Sequence, residues 1–178
     1  MQYLSAIHYN FIFGLNGTVI PLASLAIYTV VLFLSHIKNE NNLTISWFFA
    51  ILIILFICWK MNRYSGYGND APAHFIFFVL ILIYLKELEK FSKINQTTFY
   101  LLSFFAIFAF LNKIFLIFSL LIPLISINKK ILKSLIDIKF LFLFLFLFFW
   151  IIRNILTTGC MIYPMPITCF DLPWTNFY

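Results

Sequence analysis

Long apolar runs separated by short polar breaks are the feature that most limits what this chain can fold into. A run of roughly 20 apolar residues crosses the hydrocarbon core of a bilayer as a helix. Only 10% of the residues are charged, against about 25% in soluble domains, so too few polar side chains remain to cover a water-facing surface. The sequence therefore predicts a single all-α domain over residues 1–178, a polytopic transmembrane helix bundle of about six spans. The apolar runs cover residues 18–37, 43–59, 71–85, 97–127 and 140–156, and residues 3–15 form an interfacial or incomplete helix.

Residues 97–127 decide the predicted topology. As one helix these 31 residues would extend roughly 46 Å at 1.5 Å per residue, beyond a hydrocarbon core of about 30 Å. One helix would also hold Lys113 at mid-membrane, at a cost of about 2.5–3.5 kcal/mol. Two short helices that meet at Asn112 and Lys113 bring the lysine to the membrane surface. We therefore expect the chain to fold back there.

The distribution of basic residues supports this topology. With the fold-back, eight lysines lie on one side of the membrane and four basic residues on the other, and the richer side is cytoplasmic by the positive-inside rule. The loops 38–42, 86–96 and 128–139 then face the cytoplasm. The net charge is +6, but no run of basic residues is interleaved with aromatic residues as in a nucleic-acid-binding module. No nucleic acid is therefore expected as a partner. The basic residues assigned to the cytoplasmic side are Lys38, Lys86, Lys90, Lys93, Lys129, Lys130, Lys133 and Lys139. Those assigned to the other side are Lys60, Arg63, Lys113 and Arg153.

The outer loop 60–74 is rich in residue types that can bind a ligand. It holds Arg63, Asp70 and His74 together with two glycines and two tyrosines. Asp70 is suited to cap the next helix, and Pro72 in the opening turn loses no hydrogen bond there. The loop is either a capped turn with an interfacial arginine or a polar pocket for a charged head group. Asp70 and His74 are the weak catalytic candidates.

Lys113 and Arg153 are basic residues at predicted helix ends on the same side as Arg63. Each is either an anchor that reaches the membrane surface or a ligand for a phosphate group. Three cations beside an acidic residue favour an anionic lipid-linked substrate, because a phosphate at that depth needs a counter-charge. We predict substrate-phosphate binding by Arg63, Lys113 and Arg153.

Two cysteines in the tail and one histidine complete the candidates. Cys160 and Cys169 lie nine positions apart in a segment predicted to face outside, where they form a disulfide or stay as two thiols. Two cysteines without further ligands do not make a metal site. His36, at the end of the first long run, is expected to be interfacial. The sequence contains neither a P-loop nor a zinc-protease or nucleophile-elbow motif.

Three segments resemble a family of uncharacterised bacterial multi-pass membrane proteins from surface-polysaccharide loci. That family is similar to the glycosyltransferase-C superfamily, and the resemblance covers essentially the whole chain. The most specific parts are Gly68-Asn-Asp-x-Pro-x-His74 and the Arg153-Asn segment that continues through Gly159-Cys-x-Ile-Tyr-Pro164. The third is the turn Leu111-Asn-Lys-Ile-Phe115.

The resemblance implies a membrane glycosyltransferase that uses a polyprenyl-phosphate-linked sugar in surface polysaccharide or lipopolysaccharide assembly. Transfer would be metal-assisted or acid/base catalysed; the resemblance leaves a divalent metal open and requires no other cofactor. Because Met1 aligns with the middle of the family pattern, we expect the chain to be an internal fragment that lacks the loop with the catalytic carboxylate. The alternative is a non-catalytic membrane protein, either a polymerase partner or a transporter component.

Overall fold

The described part of the chain is helical in the computed structural model. Side chains are described from residue 23 in the first helix, up to 59 in the second and from 71 in the third. The predicted interfacial helix 3–15 and the side chains of Arg63 and Asp70 lie outside this description. The described backbone covers residues 19–40, 42–64, 70–90, 94–128, 131–132, 137–163 and 165–173.

Every long apolar run of the sequence is helical. The α-helices are α1 (Val19–Asn39), α2 (Ile45–Tyr64), α3 (Asp70–Glu89), α4 (Gln96–Asn112), α5 (Leu121–Ile125) and α6 (Ile138–Thr158). A 3-10 helix, Ile114–Leu120, follows Lys113 and runs directly into α5, and a single 3-10 turn, Pro166–Thr168, follows α6. The prediction of an all-α protein is confirmed for the part that the structure describes.

Two predicted loops are shorter than expected. Helix α2 continues to Tyr64 and α3 continues to Glu89, so the predicted loops 60–74 and 86–96 were too long. Polar contacts stabilise the last turn of α3, which hydropathy alone does not detect. Lys90 pairs with Glu87 at 2.6 Å, and Glu89 bonds to the start of α2.

The structure divides into two compact units, residues 1–126 and 127–178, and each is described here by itself. In the first unit, α1 and α2 bury one narrow stripe each, at the three- and four-residue spacing of a helix face, whereas α3 is buried on more than one side. On α2 this stripe is Ala50, Ile53 and Ile57. A second cluster joins Leu80 of α3 to Leu102 and Ala106 of α4.

Successive helices of the first unit run antiparallel. Near one end of the unit, His36 of α1 meets Ser46 of α2, and Ser46 meets Glu89 of α3. Farther along, Phe56 of α2 packs edge-on against Phe78 of α3 at 5.8 Å. The second unit consists of α6 and the loop after it.

Candidate functional site

The chain folds back at Lys113, as the sequence predicts. Helix α4 ends at Asn112, and Lys113 adopts an extended backbone with φ −145° and ψ 111°. Beyond the turn, the Ser119 hydroxyl donates to the Ala106 carbonyl at 3.0 Å. A contact between positions six after and seven before Lys113 requires a hairpin, so the single 31-residue helix is excluded.

Small buried residues allow the hairpin to close tightly. Ala106 and Ala109 are buried on the facing side of α4, and Ser119 is buried opposite them. Small side chains let two helix backbones approach closely, and a hydroxyl can bond to the neighbouring backbone. The Asn112 amide donates to the Phe108 carbonyl at 2.8 Å within its own helix. Asn112 therefore helps to end α4.

We call the end of the first unit that contains this turn the hairpin end. It comprises the end of α2 at Tyr64, the start of α3 at Asp70, and Lys113. Antiparallel packing puts these three backbone positions at one end, because α3 runs away from the turn as α4 runs toward it. The predicted loop and the predicted lysine therefore share one end of the unit.

His74 lies one turn into α3 from the hairpin end. Its ring is half-buried and stacks on Phe78, with centroids 6.4 Å apart and 27° between the planes. Lys113 is half-buried at the turn itself. The side chains of Arg63 and Asp70 are outside the description, so their roles stay predictions.

Arg153 belongs to the second unit. It is exposed in the next-to-last turn of α6, and its carbonyl accepts the Thr157 hydroxyl at 2.8 Å. Lys113 belongs to the first unit, and the predicted approach of Arg153 to Lys113 stays a prediction.

Cys160 and Cys169 are joined by a disulfide bond. Gly159 ends α6 with φ 74°, a left-handed conformation that glycine adopts without a Cβ clash. The chain then turns back on itself, and the two cysteines pair as an antiparallel bridge. We call residues 159–170 the disulfide loop.

The opposite end of the first unit holds a polar cluster that sequence reasoning missed. The His36 ring nitrogen Nε2 lies 2.9 Å from the Ser46 hydroxyl, which donates to Glu89 Oε2 at 2.6 Å. His36 is 5% exposed and Ser46 is 0% exposed. Packing of α1 against the start of α2 encloses the His36 ring, and the predicted interfacial depth of His36 stays a prediction. We call His36, Ser46 and Glu89 the polar clamp.

The clamp also caps a helix. Glu89 Oε1 accepts the Ser46 backbone N–H at 2.6 Å, and Thr44 Oγ1 accepts the Trp47 N–H at 3.3 Å. Both acceptors satisfy donors in the first turn of α2, where a negative charge also interacts favourably with the helix dipole. The Thr44-x-Ser46 pair before an apolar run was the available sequence signal, but its partner lies 43 positions away.

Metal binding gains no support from the described residues. Within those ranges, no group of three or more His, Cys, Asp or Glu side chains is arranged to hold an ion. The buried polar side chains there all have partners.

The fold is helical, and two of its helices have the length and composition of a membrane span. Among the described residues, Ala71–Glu89 and Ile138–Thr158 are long and apolar enough to cross a membrane. Ala23–Asn39, Ile45–Trp59, Gln96–Asn112 and Ile114–Ile125 are apolar but shorter.

The chain belongs to the family described as a domain of unknown function (DUF8201), whose sequence model matches residues 3–176. Neither a curated protein nor a solved structure matches it.

Proposed function

We propose that this chain is a multi-pass protein of the bacterial inner membrane that binds a lipid-phosphate-linked sugar in surface polysaccharide assembly, as a glycosyltransferase-C-like enzyme. The hairpin at Lys113 is the observation on which the site depends. It brings Lys113 to the same end of the unit as the end of α2 and the start of α3, which border the predicted outer loop.

Small residues recur among the buried positions, which is compatible with membrane insertion. Ala26, Ala50, Ala73, Ala106 and Ala109 are buried, beside large side chains such as Phe33 and Leu80. Buried hydroxyls accompany them, at Thr29, Ser46, Ser103 and Ser119. Interfaces between transmembrane helices are enriched in such small residues, because lipid provides no hydrophobic force to hold large ones together.

The outward-facing residues are large and apolar. Phe142, Phe144 and Phe149 of α6 are all more than half exposed, and so are Leu52 and Leu55 of α2. Monomeric soluble proteins rarely expose contiguous apolar patches larger than a few hundred Å². Lipid is the solvent that suits these surfaces.

The disulfide supports the predicted orientation. Disulfides persist in oxidising compartments and are rare in the cytosol. A tail on the outer side agrees with the excess of lysine in the loops assigned to the cytoplasm. The start of α6 then lies inside and its end outside.

A phosphate ligand fits the basic residues assigned to the outer side. In this proposal Arg63, Lys113 and Arg153 neutralise the leaving phosphate while an acceptor hydroxyl attacks the sugar anomeric carbon. The C1–O bond to the phosphate breaks, its electron pair leaves with the phosphate, and Asp70 or His74 takes the proton of the acceptor hydroxyl. Asp70 alternatively orients Arg63 or the acceptor, and His74 lies one turn deeper in α3.

The test is complementation of a strain that lacks a full-length relative, with each variant made at the matching position of that relative. Loss of a charge-assisted hydrogen bond costs about 1.5–3 kcal/mol, equivalent to about a ten- to hundred-fold weaker interaction. Lys113→Ala and Arg153→Ala should each abolish surface polymer while the protein stays at wild-type level in the membrane. Lys38→Ala and Lys139→Ala are the matched controls, each an exposed lysine at the opposite end of the same unit, and they should restore the polymer. Normal polymer in both site variants would refute the phosphate role.

A further inference from the structure

The disulfide loop at the end of α6 has an apolar surface that the proposed activity does not use. Between Gly159 and Phe170 the sequence contains no charged residue. Ile167 is 93% exposed, and Tyr163 is also more than half exposed. Met161, Met165 and Phe170 add further exposed apolar surface. A connection that faces water normally consists of polar and turn-forming residues.

Most backbone N–H groups in the described part of the loop have a hydrogen-bond partner in the loop or in the last turn of α6. The Met161 N–H donates to the Thr168 carbonyl at 3.0 Å, and the Phe170 N–H donates to the Gly159 carbonyl at 2.8 Å. Pro166 has no N–H to satisfy. Contact with lipid therefore costs this loop little, because exposed backbone groups are what exclude irregular segments from apolar surroundings. The donors with partners are the N–H groups of Gly159, Cys160, Met161, Ile162, Met165, Thr168, Cys169 and Phe170.

Side-chain bonds and the disulfide hold the apolar residues in place. The Thr168 hydroxyl lies 3.1 Å from the Ile162 carbonyl and 2.9 Å from the Met165 carbonyl. The Asn154 amide donates to the Met161 carbonyl at 3.3 Å, which ties the loop to the last turns of α6. The apolar side chains thus point outward from a fixed frame, so little entropy is lost when they meet a surface.

We propose that the disulfide loop rests in the headgroup boundary of the outer leaflet and holds the end of α6 at a fixed depth. This inference relies on the proposed membrane insertion of α6. The exposed apolar surface of α6 continues into the loop, and lipid that covers the helix reaches the loop next. Tyrosine is favoured at this level, and an apolar surface that enters the boundary by about 5–10 Å binds it.

The consequence for the proposed site concerns Arg153. It precedes the loop by less than two helical turns, so the depth of the loop sets the depth of the guanidinium. A phosphate group of a membrane lipid lies at this same boundary. The loop is therefore a positioning element for Arg153.

Depth-dependent fluorescence quenching in vesicles tests the inference. Dansylalanine is introduced at position 167 or at position 146 of the full chain, and the protein is reconstituted into phosphatidylcholine vesicles. Quenchers are a lipid with a nitroxide near the headgroup, a lipid with a nitroxide near the chain end, and aqueous iodide. We expect the shallow nitroxide to quench the label at 167 more strongly than the deep nitroxide or iodide does, because an apolar face at this boundary lies about 5–10 Å into the lipid. Reduction of the disulfide should diminish that difference.

The label at position 146 separates the two proposals. Phe146 lies in the middle of α6 and is exposed, so the deep nitroxide quenches it if α6 crosses the membrane. Deep quenching at 146 with iodide quenching at 167 overturns the loop inference and leaves membrane insertion standing. Protection of 167 from all three quenchers also overturns it, because protein then covers the loop. Iodide quenching at both positions overturns both proposals.

Discussion

Glu89→Ala should lower the free energy of unfolding of the first unit by about 1.3–4 kcal/mol. In the polar clamp, Glu89 Oε1 accepts the Ser46 backbone N–H at 2.6 Å, and Ser46 is 0% exposed. The substitution leaves the Ser46 N–H without its carboxylate acceptor. A buried donor left without a partner costs about 1–3 kcal/mol, and loss of a negative charge at a helix N-terminus adds about 0.3–1 kcal/mol.

Glu89→Gln keeps the backbone cap and removes the rest of the interaction. The amide oxygen can still accept the Ser46 N–H, but the amide nitrogen cannot accept the Ser46 hydroxyl that Oε2 accepted. The expected cost is therefore about 0.3–1 kcal/mol for the charge and about 0.5–1.5 kcal/mol for the lost hydrogen bond. Glu40→Ala is the matched control, because Glu40 is a half-buried glutamate just after α1, at the same end of the unit. It should change stability by less than about 0.5 kcal/mol.

The assay is reversible unfolding in mixed detergent micelles, followed by tryptophan fluorescence, since Trp47 directly follows Ser46 in α2. The expected order of stability is wild type and Glu40→Ala highest, then Glu89→Gln, and Glu89→Ala lowest. Equal losses for Glu89→Ala and Glu40→Ala would refute the capping role of the clamp.

Two further predictions concern the hairpin and the disulfide loop. Ala106→Leu should destabilise the first unit by about 1–3 kcal/mol through overpacking. Leu101→Met, on the exposed side of α4, should change stability little in the same unfolding assay. Equal effects of the two substitutions would contradict the close approach of α4 and the returning chain. The double variant Cys160→Ser, Cys169→Ser removes about 2.5–3 kcal/mol of loop-closure stabilisation. Hydrogen exchange of the Met161 and Phe170 amides, both hydrogen-bonded in the loop, should then accelerate at least about tenfold, while exchange of the Phe149 amide in α6 is unaffected. Unchanged exchange in the loop would contradict a loop ordered by its disulfide.

The sequence predicted features that depend on local composition. Each apolar run became a helix because its side chains are incompatible with water over a long stretch. The fold-back was predictable because Lys113 interrupts an apolar run that is too long for one span. The 3-10 conformation of Ile114–Leu120 was not predictable, since it depends on how the returning chain packs against α4.

Features that depend on register between distant segments escaped sequence reasoning. The polar clamp combines residues that lie 10 and 43 positions apart, and no local pattern pairs Ser46 with Glu89. His36 resembled an interfacial residue because a single histidine at a helix end has no distinguishing neighbours. Arg153 and Lys113 belong to different units, and their predicted proximity stays a prediction.

Sidedness of the hairpin end tests the central claim most directly. Single cysteines at positions 63, 113 and 42 are introduced into a Cys58→Ala background and labelled in intact cells with a membrane-impermeant maleimide. Asn42 lies in the loop between α1 and α2, at the end of the first unit that holds the polar clamp, and is the cytoplasmic control. The account predicts labelling from outside at 63 and 113 and protection at 42. Labelling of 63 and 113 from opposite sides would contradict it.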